Sequence, residues 1–384
     1  MRFEFATATR IVFGPGTLRE AGQHAQAMGS RAFVVTGRSV DRAHRLLAAL
    51  DSSNISHVIF PIVGEPTTEI VMAGLERARQ EQCDLVIGFG GGSAIDGGKA
   101  IAAMLANPGE LFDYLEVVGR GKPLAHPSVP YIAIPTTAGT GAEVTRNAVL
   151  ASSKHRVKVS LRSPLMLPQL AIVDPELTCK LPPALTASTG LDALTQLIEP
   201  YVSVRANPMT DTLCVEGLRR AARSLRRAFE NGDDRAARED MAVASLFGGL
   251  ALANAALGAV HGFAAPIGGM FSTPHGVVCA ALLPHVMEMN LRALRQRTPD
   301  SESLRRYDEV ARIVTGRHEA VAEDGVCWVR ELCAALQIEP LRRYGLSVED
   351  LPVFSEKATA ASSMKGNPIV LTADELREIL RRAI

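Results

Sequence analysis

Residues 31–37 (RAFVVTG) form a short, nearly unbroken apolar run that ends on glycine, and residues 55–63 (ISHVIFPIV) and 84–90 (DLVIGFG) repeat the pattern. β-Branched runs of this length suit strands buried on both faces of a parallel sheet. Between them lie helical patterns at 39–50 (SVDRAHRLLAAL) and 68–82 (TEIVMAGLERARQEQ), with Ser39 and Thr68 as expected N-caps. Strand–helix alternation of this kind predicts an α/β unit with right-handed crossovers. Further strands are expected at 129–134 (VPYIAI), ahead of a Thr/Gly loop, and at 170–173 (LAIV), ahead of Asp174-Pro175.

The pattern changes after Pro182-Pro183. From there the apolar residues recur at helical spacing with few β-branched clusters, as in 209–230 and 235–260. The expected organisation is an α/β domain with a Rossmann-like parallel sheet over residues 1–180 and an all-α C-terminal domain over 181–384. Between Asp240 and Glu288 there is no Asp, Glu, Lys or Arg. A run that long could hold a membrane span. Pro266, Pro274 and Pro284 break it, however, and Asn254, His261, His275 and His285 lie within it, so buried helices of a soluble domain are expected.

Composition narrows the function classes. The 384 residues carry 41 Lys+Arg against 41 Asp+Glu, and zero net charge argues against nucleic acid or an anionic membrane as the main partner. With 47% apolar and 21% charged residues the chain is globular rather than disordered. The start, MRFEFATATRIVFG, lacks a secretory pattern. Cys83, Cys179, Cys214, Cys279, Cys327 and Cys333 include no CxxC pair, and reduced, mostly buried thiols in a cytoplasmic protein are expected.

Two loops carry candidate chemistry. Residues 88–99 (GFGGGSAIDGGK) run from a strand through Gly90, Gly91, Gly92 and Ser93 into a helix. Glycines permit close approach of a ligand, and a helix start offers N–H groups and the positive end of a dipole to a phosphate. The segment is neither a Walker A loop nor a GxGxxG fingerprint, so a tight turn without a ligand remains open. Residues 135–143 (PTTAGTGAE) add the hydroxyls of Thr136, Thr137 and Thr140. Two such loops at strand C-termini of one sheet form the crevice where open α/β sheets bind nucleotides. Further on, Asp192 and Gln196 in STGLDALTQLIE share a helix face. With His261 and His275 they could converge on a divalent metal. On spacing alone, a solvated Asp–Gln pair and two core histidines are the stronger reading.

Taken together, GGGSAIDGGKA, PTTAGTGAEVT, DPELTCKLPPALTASTGLDAL and HGFAAPIGGMFSTPHG stand in the order and at about the spacing of the iron-containing alcohol dehydrogenases. The resemblance spans nearly the whole chain, from FGPG at 13–16 to Asn367-Pro368. It implies a reversible NAD(P)-dependent alcohol dehydrogenase acting on a small alcohol or carbonyl compound, with a divalent metal, Fe2+ ahead of Zn2+. It places the cofactor pyrophosphate at Gly91, Gly92 and Ser93, with Asp96 on the following helix. Thr136, Thr137 and Thr140 would line the cofactor, and Lys158 would reach its ribose. The metal positions correspond to Asp192, Gln196, His261 and His275, of which Asp192, His261 and His275 would also be the catalytic residues. A cytoplasmic homo-oligomer, a dimer or larger, is implied as well.

This sequence departs from the family pattern at three places. Gln196 stands where the DAxxHxxE pattern has His, and an amide is a weaker donor to a transition metal than imidazole. Ala265 stands where many relatives have a further His associated with proton relay. Gly37, Arg38 and Ser39 replace the Asp common in NAD-preferring relatives. That change removes a carboxylate that repels a 2′-phosphate and offers groups that bind one, so acceptance of NADP(H) is expected. Gln196 also keeps open a metal-independent oxoacid reductase of the maleylacetate-reductase type. A lyase like dehydroquinate synthase is a further use of the same scaffold.

Overall fold

The described residues of the computed structural model are 2–155, 157–271 and 273–384. Six strands form a parallel sheet: β1 (Arg10–Phe13), β2 (Arg31–Thr36), β3 (Ser56–Pro61), β4 (Leu85–Gly90), β5 (Tyr131–Pro135) and β8 (Leu170–Val173). Between β5 and β8, strands β6 (Asn147–Ser152) and β7 (Val157–Arg162) pair separately as an antiparallel hairpin. The helices of this half are α1 (Ala21–Gln26), α2 (His44–Ser52), α3 (Thr68–Gln80), α4 (Gly92–Ala106) and α5 (Leu111–Tyr114).

The continuous apolar runs have a direct cause. In β2, Ala32 and Val34 enter one core while Phe33 and Val35 enter another on the opposite face, and in β4 Leu85 and Ile87 oppose Val86 in the same way. Both faces are covered, so no position in the strand is left for a polar residue. The strand order β1-β8-β5-β4-β2-β3 places β2 between β3 and β4, so the chain reverses direction across the sheet there. This is the topological switch point at which open α/β sheets bind ligands, outside the strands' carboxyl ends.

Contact clustering assigns Thr7–Thr137 and Gly141–Thr178 to this α/β unit. The second unit comprises Cys179–Ile384, Ala138–Thr140 and the first residues up to Ala6. From Pro183 its described residues are helical: α6 (Pro183–Val202), α7 (Pro208–Glu230), α8 (Arg235–Ala255), α9 (Ala259–Met270), α10 (His275–Arg297), α11 (Glu302–Thr315), α12 (Ala322–Ala335), α13 (Leu351–Ala360) and α14 (Ala373–Ala383). The charge-free segment is mostly core: α10 is long and apolar enough to cross a membrane, but 83% of its apolar window is buried within the structure.

Local expectations are corrected in four places. Residues 40–43 form a separate 3-10 turn before α2, and Ser39 makes no side-chain cap. Thr67, not Thr68, caps α3 by accepting from the Ile70 N–H. The run 235–260 is two helices, because Ala256 takes a left-handed φ of 61° and the axis bends by 100° between α8 and α9. No disulfide joins the cysteines among the described residues, and only Cys83, Cys214 and Cys279 are buried.

The β6–β7 hairpin is fastened to α4 by polar groups. Lys99 is fully buried and its Nζ donates to Ala142 O at 2.7 Å, Asn147 O at 2.8 Å and Thr145 Oγ1 at 3.0 Å. Asp96 accepts from the Val149 N–H at 3.1 Å, and its other oxygen lies 3.7 Å from the Lys99 ammonium. Burial pushes the Asp96 carboxyl up against the opposing pull of Lys99. Burial likewise pushes the neighbouring Glu143 carboxyl up to about 7.

Candidate functional site

In the α/β unit, the candidate cofactor residues gather at the carboxyl ends of β2, β4 and β5. A Cβ on Gly90 would lie 2.7 Å from the Ala94 Cβ and 3.3 Å from the Gly37 N, so the β4 and β2 ends approach too closely for a side chain there. Gly91 is the N-cap of α4 in an extended conformation and supplies no capping side chain. The start of a 15-residue helix is therefore left to another acceptor. Across the neighbouring strand end, the Thr136 N–H donates to Gly90 O at 2.8 Å, and a Cβ on Gly91 would lie 3.5 Å from the Thr137 side chain. Gly37, Gly91, Thr136 and Thr137 thus share one edge of the sheet, with Gly92 and Ser93 opening the helix beside them.

The other proposed cofactor residues are placed differently. Arg38 and Ser39 are exposed just beyond β2, where a Cβ on Gly37 would meet nothing within 4 Å. Among the described residues, Arg38 has no hydrogen-bond or ion-pair partner. Asp96 is bonded to the β6–β7 hairpin as described above. Lys158 sits on β7 with its ammonium 3.0 Å from Glu65. Thr140 belongs to the helical unit.

In the helical unit, three helices bring acidic, imidazole and thiol groups together. Asp192 is on α6, His261 is the third residue of α9, and His275 and Cys279 lie one turn apart at the start of α10. One ligand atom from each of these four residues lies within 4.8 Å of every other. Asp192 Oδ1 is 3.3 Å from His261 Nε2 and 3.7 Å from His275 Nε2. Cys279 Sγ is 3.7 Å from His275 Nε2 and 3.9 Å from His261 Nε2. Asp192 is 2% exposed and its Oδ1 makes no hydrogen bond, so these atoms converge on a shared point rather than on one another. The donor set suits a divalent transition metal: one carboxylate, two imidazoles and a sulfur.

Local structure explains how His261 is aimed. The first N–H groups of α9 need outside acceptors. Asn367 Oδ1 accepts from the Ala259 N–H at 3.1 Å, and Glu199 Oε1 accepts from the Val260 N–H at 2.7 Å. The other Glu199 oxygen takes the His261 Nδ1 at 2.6 Å. That bond assigns a proton to Nδ1 and aims Nε2 at Asp192 and Cys279, so that Nε2 is the nitrogen a metal would take, as in carboxylate–histidine–metal arrangements. His275 is fixed by contact: a Cβ on the adjacent Gly276 would stand 2.2 Å from Ser188 O, so only glycine lets α10 begin this close to α6.

The charges are mutually dependent. Burial opposes the Asp192 carboxylate, but the His275 and His261 imidazoles outweigh it and hold its pKa below the usual range. Burial also opposes a charge on His261. The Cys279 sulfur and the Glu199 and Asp192 carboxylates overcome this and hold the ring well above its ordinary range. Burial pushes the Cys279 thiol up to about 12.

Gln196, one turn after Asp192, is 3% exposed and its Oε1 has no hydrogen-bond partner. Sequence reasoning assigned no role to Glu199 or Cys279. The available signals were slight: Cys279 is four residues after His275, and Glu199 is the last position of the DAxxHxxE pattern, seven after Asp192 on the same helix. Glu199→Gln is expected to weaken metal affinity roughly 10–100-fold with little change in melting temperature. A metal titration beside a thermal melt checks this, and unchanged affinity would mean that packing alone orients His261.

Known proteins resemble this chain along its length. Residues 8–175 match the iron-containing alcohol dehydrogenase family, and residues 186–384 match the C-terminal domain of the Fe-containing alcohol dehydrogenases. The chain is 36% identical to alcohol dehydrogenase 4 of Schizosaccharomyces pombe, over 97% of this chain and 87% of the relative. It is 35% identical to 1,3-propanediol dehydrogenase of Klebsiella pneumoniae, over 99% and 98%. The crystal structure of a 1,3-propanediol oxidoreductase superposes with a TM-score of 0.93 at 34% identity, covering 100% of both chains. The chain belongs to the iron-containing alcohol dehydrogenase family and is an oxidoreductase of the alcohol dehydrogenase class. The family uses NAD(P) and a divalent metal.

Proposed function

We propose that this chain catalyses reversible, nicotinamide-linked oxidation of a small alcohol to its aldehyde or ketone, with a divalent metal held by Asp192, His261 and His275. The observation that carries this reading is the buried Asp192 Oδ1, which lacks a hydrogen bond and faces the Nε2 atoms of both histidines. When bound, the metal supplies a Lewis acid for the substrate oxygen and the nicotinamide supplies the hydride chemistry.

The chain's own residues provide the positioning. Asp192 contributes the anionic donor, and Glu199 keeps His261 in the tautomer whose Nε2 is available. Gln196 and Cys279 are the two candidates for a fourth donor. In the α/β unit, Gly91, Gly92 and Ser93 offer the α4 start to the pyrophosphate, and Thr136 and Thr137 offer hydroxyls to the cofactor. Thr140, Asp96 and Lys158 are the further cofactor residues that the family resemblance implies. With Ala265 in place of an imidazole, the alcohol proton would need another route: ribose hydroxyls, water or another side chain. The relatives named for 1,3-propanediol make short alcohols and diols the first substrates to assay. The expected setting is a cytoplasmic homo-oligomer, checked by light scattering of the purified protein.

The exposed Arg38 and the open space at Gly37 support use of NADP(H). Arg38→Ala is expected to raise the KM for NADPH by about tenfold, the loss of one charge-assisted hydrogen bond, and to leave the KM for NADH unchanged. Equal KM values before and after the substitution would remove Arg38 from the cofactor site. The metal assignment is tested by stripping and restoring the ion while following NAD(P)H oxidation.

A further inference from the structure

The geometry points to Cys279 as the fourth metal ligand, giving an Asp–His–His–Cys site whose donor chemistry favours Zn2+ over Fe2+. This inference rests on the metal reading above and refines it.

Distances carry the argument. In a tetrahedral shell, bonds of about 2.0–2.1 Å to oxygen or nitrogen and about 2.3 Å to sulfur set O–N edges near ~3.3 Å and S–N edges near ~3.6 Å. The O–N edge from Asp192 to His261 is 3.3 Å and that to His275 is 3.7 Å. The S–N edges from Cys279 are 3.7 and 3.9 Å. Four of the six edges therefore stand close to tetrahedral spacing before any ion is added, and the other two are no longer than 4.8 Å.

Placement on the helix supports the same choice. His275 and Cys279 are separated by one turn at the start of α10, so one rigid element presents both donors to one point. Gly276 lets that turn seat against the Ser188 carbonyl. Donor chemistry agrees. Gln196 offers a neutral amide oxygen, whereas a sulfur ligated as thiolate is a stronger and softer donor that selects zinc. On binding, the S–H bond breaks as the metal–sulfur bond forms, and the proton is released to solvent. No oxidant or reductant is involved.

The test uses the full-length protein, stripped of metal and loaded with Co2+ as a spectroscopic probe. A near-ultraviolet thiolate-to-cobalt charge-transfer band is expected in the wild type and in Gln196→Ala, and is expected to disappear in Cys279→Ser. Zinc affinity of Cys279→Ser should fall by more than the roughly 10–100-fold that outer-shell partners carry. X-ray absorption of the zinc-loaded wild type needs no variant and should show one sulfur scatterer at about 2.3 Å. Stoichiometric cobalt without the band, a band that survives Cys279→Ser, or a zinc shell without sulfur would overturn the Cys279 assignment and leave the dehydrogenase reading intact. Failure of the wild type to bind Co2+ or Zn2+ at all would overturn both.

Discussion

Asp192→Asn is expected to lose the bound metal and at least ~10^3-fold in kcat/KM, corresponding to the several kcal/mol that a bound Lewis acid contributes. The substitution keeps the side chain's shape and removes its charge. Asp192 is the only carboxylate in the four-donor set, and it faces two imidazoles. Without its charge, the set consists of neutral donors and a thiol that must give up its proton, so affinity for a divalent ion drops. Metal content by elemental analysis and steady-state kinetics with a short alcohol check this. Retained metal and activity within tenfold of wild type would remove Asp192 from the metal site.

The second large effect concerns stability. Lys99→Met is expected to destabilise the α/β unit by about 3–5 kcal/mol, the range seen when one partner of a buried charged network is removed. Methionine fills most of the space, so the cost is mainly electrostatic. Three acceptors, Ala142 O, Asn147 O and Thr145 Oγ1, lose the ammonium as a donor, and Ala142 O keeps only the longer bonds from Thr145. Asp96 loses the nearby ammonium that opposes its desolvation. For a unit of this size the melting temperature should fall by roughly 2–4 °C per kcal/mol. Calorimetry checks this. A melt within 2 °C of wild type (a shift of about 1 kcal/mol or less) would show that the hairpin is held by its apolar residues alone.

Five of the six sheet strands were legible because a doubly covered strand has few polar positions, as Phe33, Val34 and Val35 show; the short edge strand β1 was not read. Strand β3, a sheet edge with largely half-buried residues, was among the five, because its apolar run is as long as those of the central strands. The β6–β7 hairpin was missed. Its β6 residues alternate half-buried and buried, a period-2 signal in NAVLAS that is short and rich in small residues. The break at Ala256 was illegible for another reason. Alanine favours helix, and the left-handed turn there is imposed by tertiary packing rather than local preference.

The candidate site was legible unevenly. Asp192, His261 and His275 lie on three helices, so spacing in the chain could not show that they converge, and only the family resemblance placed them together. Cys279 was passed over because an isolated cysteine in an apolar segment reads as a core thiol. Its meaning emerges only when α10 is placed against α6 and α9. Glu199 was hidden similarly: its role depends on the start of α9, whose N–H groups it satisfies while it orients His261.

The most direct test of the central claim is NAD(P)H oxidation by the purified protein, with its metal content measured before chelation, after chelation and after restoring Zn2+ or Fe2+. The expected result is near-stoichiometric metal in the isolated protein, loss of carbonyl reduction with the metal, and recovery when the metal is returned. Full activity in protein freed of metal would contradict a metal-dependent alcohol dehydrogenase, and would make Asp192, His261 and His275 substrate-orienting groups instead.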